Sequence, residues 1–596
     1  MNTPSPTTRI IALNPTDAED FEQAAERAKS IGASHVLITE DLPKSFWQME
    51  QSNDPYPAWF IHQPGLLKIF PPKLLQAYVD LDYAERIAQI LEDRCTVLQR
   101  LGMKAYYFCN EPQVLPEPFF RSHPHLRGPR VDQSNRSRQP HFSPCTDRPE
   151  VLQMYRESIQ ALLKRCPEVE LFSFVTTDSG AGFCWSPALY PGRNGPAHCE
   201  HRDMSERVAG FLINLQTAAQ ERGRTIEINI VEIPARRWMR PTFLDAKAIA
   251  RKLPPGLSVN NHEGPEGKAF MNGTGMENLW SNCFYPVLGI PRPMAFLRTL
   301  VQATKHPGRR KVLAFNDAVN NELNFTIAEA FDRLTPRDRI AQLQLLREVA
   351  LQQVGEAQAD KLLELWHIVD EVEVLLEPLD FGPVLRMGCI LARWINRPFV
   401  PFPEELSEAD SYYWRNFLFQ AKGDEQALNL IDIQAMRMFE GWGARMLVEQ
   451  TVEQIFLRLR EALALAAETG QKELERRLKI LRCLLINTRN AVSYQAQLER
   501  VKNAGILPDP NPVLGTRSSW DRDDLLRIAR EEIDNCVELI DLLKTGEGRA
   551  LDTAQHSDEE AITQLGPDLV QQLQHKITTM NAHWCDYGRL LTEPNP

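Results

Sequence analysis

Several features that would assign a chain of 596 residues to a large functional class are missing here. No stretch approaches the roughly 18 consecutive apolar residues of a membrane span. The opening MNTPSPTTRIIALNPTDAED lacks an uninterrupted apolar core of signal-peptide length. The expectation is a soluble chain without a membrane partner, cytoplasmic, or secreted or periplasmic if a leader has been removed. There is no basic excess: 67 Lys and Arg face 79 Asp and Glu, and a net charge of -12 repels a phosphate backbone, so nucleic acid is not an expected partner. The 11 cysteines form no CxxC pair and are odd in number, which reads as reduced, mostly buried thiols rather than a disulfide framework. No GxSxG elbow supports serine chemistry. No glycine-rich phosphate loop follows the first strand-like run, RIIALN, which argues against an open dinucleotide-binding sheet.

What is present is a globular mixture, 43% hydrophobic and 24% charged, in a chain too long for one core. Eight β-rich runs alternate with amphipathic stretches: Arg9 to Asn14, His35 to Glu40, Lys104 to Pro112, Leu171 to Asp178, Ile226 to Pro234, Leu257 to Gly264, Cys283 to Gly289 and Val312 to Asp317. Helical periodicity fills Asp17 to Ile31, Asp82 to Leu101, Glu150 to Arg165, Ser205 to Gly223, Asp245 to Leu253 and Pro293 to Lys305. Eight such units predict an α/β fold, a (β/α)8 TIM barrel over residues 1–325. After Leu323 the texture turns helical, in Asp338 to Glu377, Glu425 to Met446, Thr451 to Glu468, Glu473 to Leu498 and Asp521 to Leu543. A large, mostly α-helical C-terminal domain is expected over 326–596. Three of its prolines fall in RPFVPFPEELSEAD, Arg397 to Asp410, which reads as a packed connector. The striped helices would permit a homodimer, with packing inside their own domain as the default.

Chemistry in such a barrel sits where strands end. Five of the runs end in acids or amides: Asn110-Glu111, Asp178, Glu232, Asn260-Asn261-His262-Glu263, and Asn316-Asp317 with Glu322 after it. Any one of these can be a helix cap, but five together predict a polar crater. Paired carboxylates in a crater suit glycoside cleavage: a protonated acid donates to the departing oxygen, and a second carboxylate attacks or activates water. Asp178, in FVTTDSGAGFCWS, is the leading acid, because no helical pattern for it to cap begins until about Met204. Glu232 and Glu263 are the candidate partners. The expected substrate-binding set is Asn110, Glu111, Trp185, Arg193, Trp238, Asn261, His262, Tyr285, Asn316, Asp317 and Glu322, amides for hydroxyl groups and rings for a sugar face. Five arginines and three histidines between Arg121 and Phe142 would either clamp an anionic substrate group or lie solvated. His198, Cys199 and His201, with His123, His125 and His262 in other loops, match no established metal spacing, so neither metal nor cofactor is expected.

The strand end, acid, glycine-rich loop and helix of FVTTDSGAG followed by NGPAHCEHRDMSERVAGFLINL resembles the fourth-strand region of the bacterial α-glucuronidases. That family also joins a (β/α)8 barrel to a large helical domain. NEP after the third strand and the RPFVPFPEEL segment are similar to other barrel glycosidases acting on uronic acids or N-acetylhexosamines. In the α-glucuronidases a glutamate at this place protonates the leaving group, and Asp178 stands there in this chain. The resemblance implies water-activating carboxylates from later strands, Glu263 and either Asp317 or Glu322. Together these readings predict an exo-acting glycoside hydrolase on an oligosaccharide or glycoside substrate. The alternatives are a non-catalytic carbohydrate-binding or scaffold protein, and a metal-dependent isomerase or lyase on the same barrel.

Overall fold

The computed structural model describes residues 9–13, 18–39, 42–43, 64–132, 140–176, 180–186, 193–232, 246–261, 270–271, 276–279, 288–304, 310–315, 321–336, 338–376, 379, 388–414, 442–502, 519–546, 551–554, 556 and 564–591. The chain divides into two compact units, one of residues 1–50, 57–282 and 296–333, the other of 51–56, 283–295 and 334–596.

The first unit is built on one sheet. Its strands are β1 (Arg9–Leu13), β2 (Ala33–Leu37), β3 (Lys104–Asn110), β6 (Val169–Thr176), β7 (Glu227–Glu232), β8 (Leu257–Asn261), β9 (Phe270–Met271), β10 (Met276–Leu279) and β11 (Arg310–Phe315). The order is β10-β11-β1-β2-β3-β6-β7-β8-β9. Every neighbouring pair is parallel except β8 with the short β9. Eight parallel strands therefore lie in the cyclic order that a (β/α)8 barrel requires, opened between its sixth and seventh members. The described pairs include none between β8 and β10, so what is established is a parallel α/β sheet in barrel order. Two further strands, β4 (Arg127–Arg130) and β5 (Phe142–Pro144), make a separate antiparallel pair in the connection after β3.

Parallel strands covered on both faces need apolar side chains in both directions. β6 shows how the faces differ. Phe174 meets Phe211 of the Met204–Gln220 helix edge-on at 5.9 Å, and Phe211 in turn meets Tyr155 of the Pro149–Arg165 helix at 4.8 Å. With the alternate parity, Ser173 pairs in register with Asn229, and Asn229 with Ser258. Ser258 Oγ donates to Asn229 Oδ1 at 2.8 Å, and all three residues are buried. Local signals set the helix ends. The Leu81–Leu101 helix begins at Asp80, whose carboxylate accepts from Tyr83 N, and stops at Gly102 with φ 68°, the left-handed geometry glycine adopts cheaply.

One strand differs from expectation. A strand paired with β11 forms from Met276–Leu279, Met276 opposite Arg310 to Leu279 opposite Leu313, ahead of the run Cys283 to Gly289 expected as the seventh. MENL has a donor at every position. Residues 283–287 lie outside the described set.

The second unit is helical among its described residues, with its longest helices at Glu356–Leu376, Trp442–Glu468, Lys472–Lys502 and Ser519–Lys544. The helical stretch from Asp338 to Glu377 is two helices, Arg339–Val354 and Glu356–Leu376, broken at Gly355 with φ 76°. In the Trp442–Glu468 helix Val452, Ile455 and Leu459 are buried and Phe456 and Leu463 half-buried, while Glu453 and Glu461 are exposed. In the proline-rich connector Arg397, Phe399 and Val400 are buried, and Phe399 stacks on Tyr494 at 4.7 Å. A fully buried ion pair joins Glu532 to Lys576, with Asn487 Nδ2 (2.7 Å) and Asn490 Nδ2 (3.1 Å) donating to the same carboxylate.

Candidate functional site

The C-terminal ends of four adjacent strands form one edge. Asn110 of β3 lies opposite Val175 of β6, Thr176 opposite Glu232 of β7, and Glu232 opposite Asn261 of β8. Glu232 and Asn261 are therefore neighbours across a strand pair, about 4.8 Å apart along the backbone. Asp178 and Glu263 lie outside the described residues. The chain is described again from Gly180, which returns to this edge: Gly180 N donates to Val131 O at 2.7 Å, Val114 N to Gly180 O at 2.8 Å, and Gly182 N to Pro112 O at 3.1 Å. The connections after β3 and β6 are thereby zipped together.

Glu111, one residue past β3, is 1% exposed and followed by a cis peptide to Pro112. Its Oε1 accepts from Leu66 N at 2.7 Å. Its Oε2 accepts from Gln113 N at 2.9 Å and from the Tyr155 hydroxyl at 2.6 Å. Burial pushes this carboxyl up, against the pull of those donors and of the Lys68 charge. Burial also lowers the Lys68 ammonium to about 7, with Glu111 acting to restore it. Buried and held by three protein donors, Glu111 ties the Leu66–Ile69 turn to the sheet edge. Asn110 beside it is also buried.

The other expected groups are spread out. Trp185 has φ 68°, its ring Nε1 donates to Pro196 O at 3.2 Å, and its backbone N donates to Asn194 O at 2.8 Å. Arg193 is exposed, 3.9 Å from Glu200. Glu322 is an exposed first-turn acid of the Asn321–Leu334 helix and pairs with Arg27 at 2.8 Å, so the structure gives it an outer ion pair instead of a role at the strand edge. Asn261 is placed by its backbone pairing alone. Trp238, His262, Tyr285, Asn316 and Asp317 lie outside the described residues. In the basic connection after β3, the described arginines at its centre have internal partners. Arg127 pairs with Glu117 at 2.6 Å and lies over the Phe142 ring, and Arg130 holds the buried Asp132 through two hydrogen bonds of 2.8 Å. Asn194 closes on Arg130 like a short strand, accepting from its N at 2.7 Å and donating to its O at 3.1 Å.

A second constellation escaped the sequence reading. Cys145, Cys184 and Cys199 are buried together with Trp185 packed against them. Their sulfurs and one oxygen of Asp147 lie within 4.8 Å of one another. Cys145 Sγ stands 3.9 Å from Cys199 Sγ and 3.4 Å from His198 Nε2. Asp147 accepts from Arg202 at 2.8 Å and from the buried Arg207 at 2.7 Å, and Arg207 also donates to Cys184 O at 3.0 Å. Hydrogen bonds from Cys145 and Cys184 draw the Cys199 thiol down to about 2, while hydrogen bonding with Cys145 and Cys199 holds Cys184 well up. His198 and Cys199 carried the only local signal; Cys145 and Cys184 are too distant in sequence to be read with them.

No protein-family model and no curated protein matches the chain. Solved structures similar to it include a GH138 enzyme targeting pectin rhamnogalacturonan II, at 11% identity and TM-score 0.45, covering 99% of this chain and 69% of that one. Another is a family 89 glycoside hydrolase from Clostridium perfringens, at 10% identity and TM-score 0.44, covering 99% and 65%. A Thermobaculum terrenum O-GlcNAc hydrolase mutant gives 9% identity and TM-score 0.32, covering 99% and 98%. None of these three is described as an α-glucuronidase, so that resemblance rests on the FVTTDSGAG motif. At such TM-scores the function has to be argued from the residues.

Proposed function

We propose that the chain is an exo-acting glycoside hydrolase for a uronic acid or N-acetylhexosamine residue, its reacting carboxylates standing at the C-terminal edge of a closed (β/α)8 barrel. The observation that carries this is the register row Thr176, Glu232, Asn261, with Asn110 on the next strand. It brings an acid and two amides from separate segments to one end of a parallel sheet, where enzymes of this strand order keep their chemistry. Asp178, two positions past Thr176, is the proton donor. Glu232 or Glu263 is the partner, attacking the sugar carbon if the carboxyl groups are about 5 Å apart and activating water if they are about 6.5–9.5 Å apart. Asn110 and Asn261 are suited to holding sugar hydroxyls. Glu111 is the group that positions the edge.

The test is a panel of chromogenic glucuronides, galacturonides and N-acetylhexosaminides against the wild type and Asp178→Asn. Turnover of at least one substrate is expected, falling about 10²- to 10⁴-fold in the variant with circular dichroism unchanged. Undiminished turnover in folded Asp178→Asn removes that residue from the mechanism. Calorimetric sugar binding with no hydrolysis anywhere in the panel replaces the enzyme reading with a carbohydrate-binding one.

A further inference from the structure

We propose that Cys145, Cys184, Cys199 and His198 bind one zinc ion, a structural site that staples together the long connections following β3 and β6. Zinc–sulfur bonds of about 2.3 Å and zinc–nitrogen bonds of about 2.05 Å place tetrahedral ligands about 3.8 Å apart for sulfur pairs and about 3.5 Å apart for sulfur and nitrogen. The observed separations are 3.9 Å for Cys145 with Cys199 and 3.4 Å for Cys145 with His198. Disulfide sulfurs would stand about 2.05 Å apart. Packing alone accounts for buried thiols, but it does not call for an imidazole nitrogen aimed at one of them from a residue that is itself exposed.

Asp147 lies in the same cluster, yet both of its oxygens are already engaged, one by Arg202 and the other by Arg207. It serves behind the site, fixing the Arg207 guanidinium that caps Cys184 O. The charges also close: zinc with three thiolates and a neutral imidazole carries one negative charge, and Arg202, Arg207 and Asp147 together carry one positive. All three sulfurs bind as thiolates, any proton still held by a thiol passing to solvent as its sulfur–zinc bond forms, and no electron is transferred. With four protein ligands no position remains open for substrate or water, which makes the role structural.

The placement in the chain gives the site its purpose. Cys145 precedes the Pro149–Arg165 helix, Cys184 follows β6, and His198 and Cys199 share the short Ala197–Cys199 turn ahead of the Met204–Gln220 helix. An ion here cross-links the two connections, and cross-links of this kind offset the entropy of long loops. The inference does not depend on the chemistry proposed for Asp178.

The experiment uses the full chain purified without chelating resin. Elemental analysis is expected to give about one zinc per chain. Zinc removed with a chelator and replaced by cobalt should restore a thiolate-to-cobalt charge-transfer band and the intense visible bands of tetrahedral cobalt, with no variant required. Cys199→Ala and Cys184→Ala should lose the metal. His198→Ala should keep the charge-transfer band but shift the visible bands as water replaces nitrogen. Asp147→Asn should bind about 10- to 100-fold more weakly, as loss of an outer partner does. Absence of zinc together with no cobalt spectrum on the fully reduced chain overturns the proposal. So does peptide mapping that finds a disulfide between any two of the three cysteines.

Discussion

Replacing Lys68 with methionine tests whether the Glu111 knot is structural. Lys68 is 2% exposed in the all-buried Leu66–Ile69 turn, and burial lowers its ammonium from 10.5 to about 7. Between those two pH values the unfolded chain carries a proton on this amine and the folded chain does not. Stability therefore rises with pH through that window: the contribution is fully present above the unfolded value and lost as pH falls through the folded one. A depression from 10.5 to about 7 is three and a half units, and at about 1.36 kcal/mol per unit it amounts to about 5 kcal/mol across the window. Lys68→Met removes the titrating group, and the altered side-chain packing adds a constant offset that does not change with pH. The assay is guanidinium unfolding of wild type and variant at several pH values from 7 to 10, followed by tryptophan fluorescence. The difference between the two proteins should move by several kcal/mol in favour of the wild type as pH rises. Glu111 works in the opposite sense, since its raised carboxyl contributes stability at acid pH that is lost as pH rises through its folded value. Repeating the comparison in Glu111→Gln separates the two groups. A difference that stays flat with pH refutes the account of a desolvated amine beside Glu111.

Two further outcomes follow from buried polar groups. Tyr155→Phe removes the 2.6 Å donor to Glu111 and should cost about 1.5–3 kcal/mol in chemical denaturation, the worth of a hydrogen bond to a charged acceptor; no loss would mean that Glu111 is satisfied without it. In the helical unit, Lys576→Met leaves Glu532 uncompensated among Asn487 and Asn490 and should destabilise by about 3–5 kcal/mol, whereas Glu532→Gln with Lys576→Met should recover much of that loss, both read from unfolding midpoints.

Periodicity made most of the first unit legible, because a strand covered on both faces is apolar through most of its length, as Lys104–Asn110 and Val169–Thr176 are. The strand Met276–Leu279 was missed because it carries no β-branched residue, and only its pairing with Arg310–Phe315 makes it a strand. The break at Gly355 was visible as a glycine but not as a stop, since a single glycine inside a helical pattern is tolerated until its φ turns positive. At the candidate site the acids and amides at strand ends could be read from position alone. Their environments could not. Glu111 looked like Glu232 in sequence, and only Gln113 beside it with Leu66 and Tyr155, brought from two distant segments, show it to be a pinned internal group.

By itself, then, the sequence determined what depends on short-range pattern: parallel strands alternating with amphipathic helices, a helical second half, and thiols without a disulfide framework. Tertiary structure decided what depends on residues far apart in the chain. It set Glu232 beside Asn261, held Glu111 among internal donors and Glu322 in an ion pair with Arg27, and gathered Cys145, Cys184 and Cys199 into one cluster with His198 beside Cys145. The physical reason is one of range. Hydrophobic periodicity is fixed within a few residues, whereas a hydrogen bond or a ligand sphere is fixed by where the backbone brings distant side chains together, and that is settled only when the whole sheet and its connections have packed.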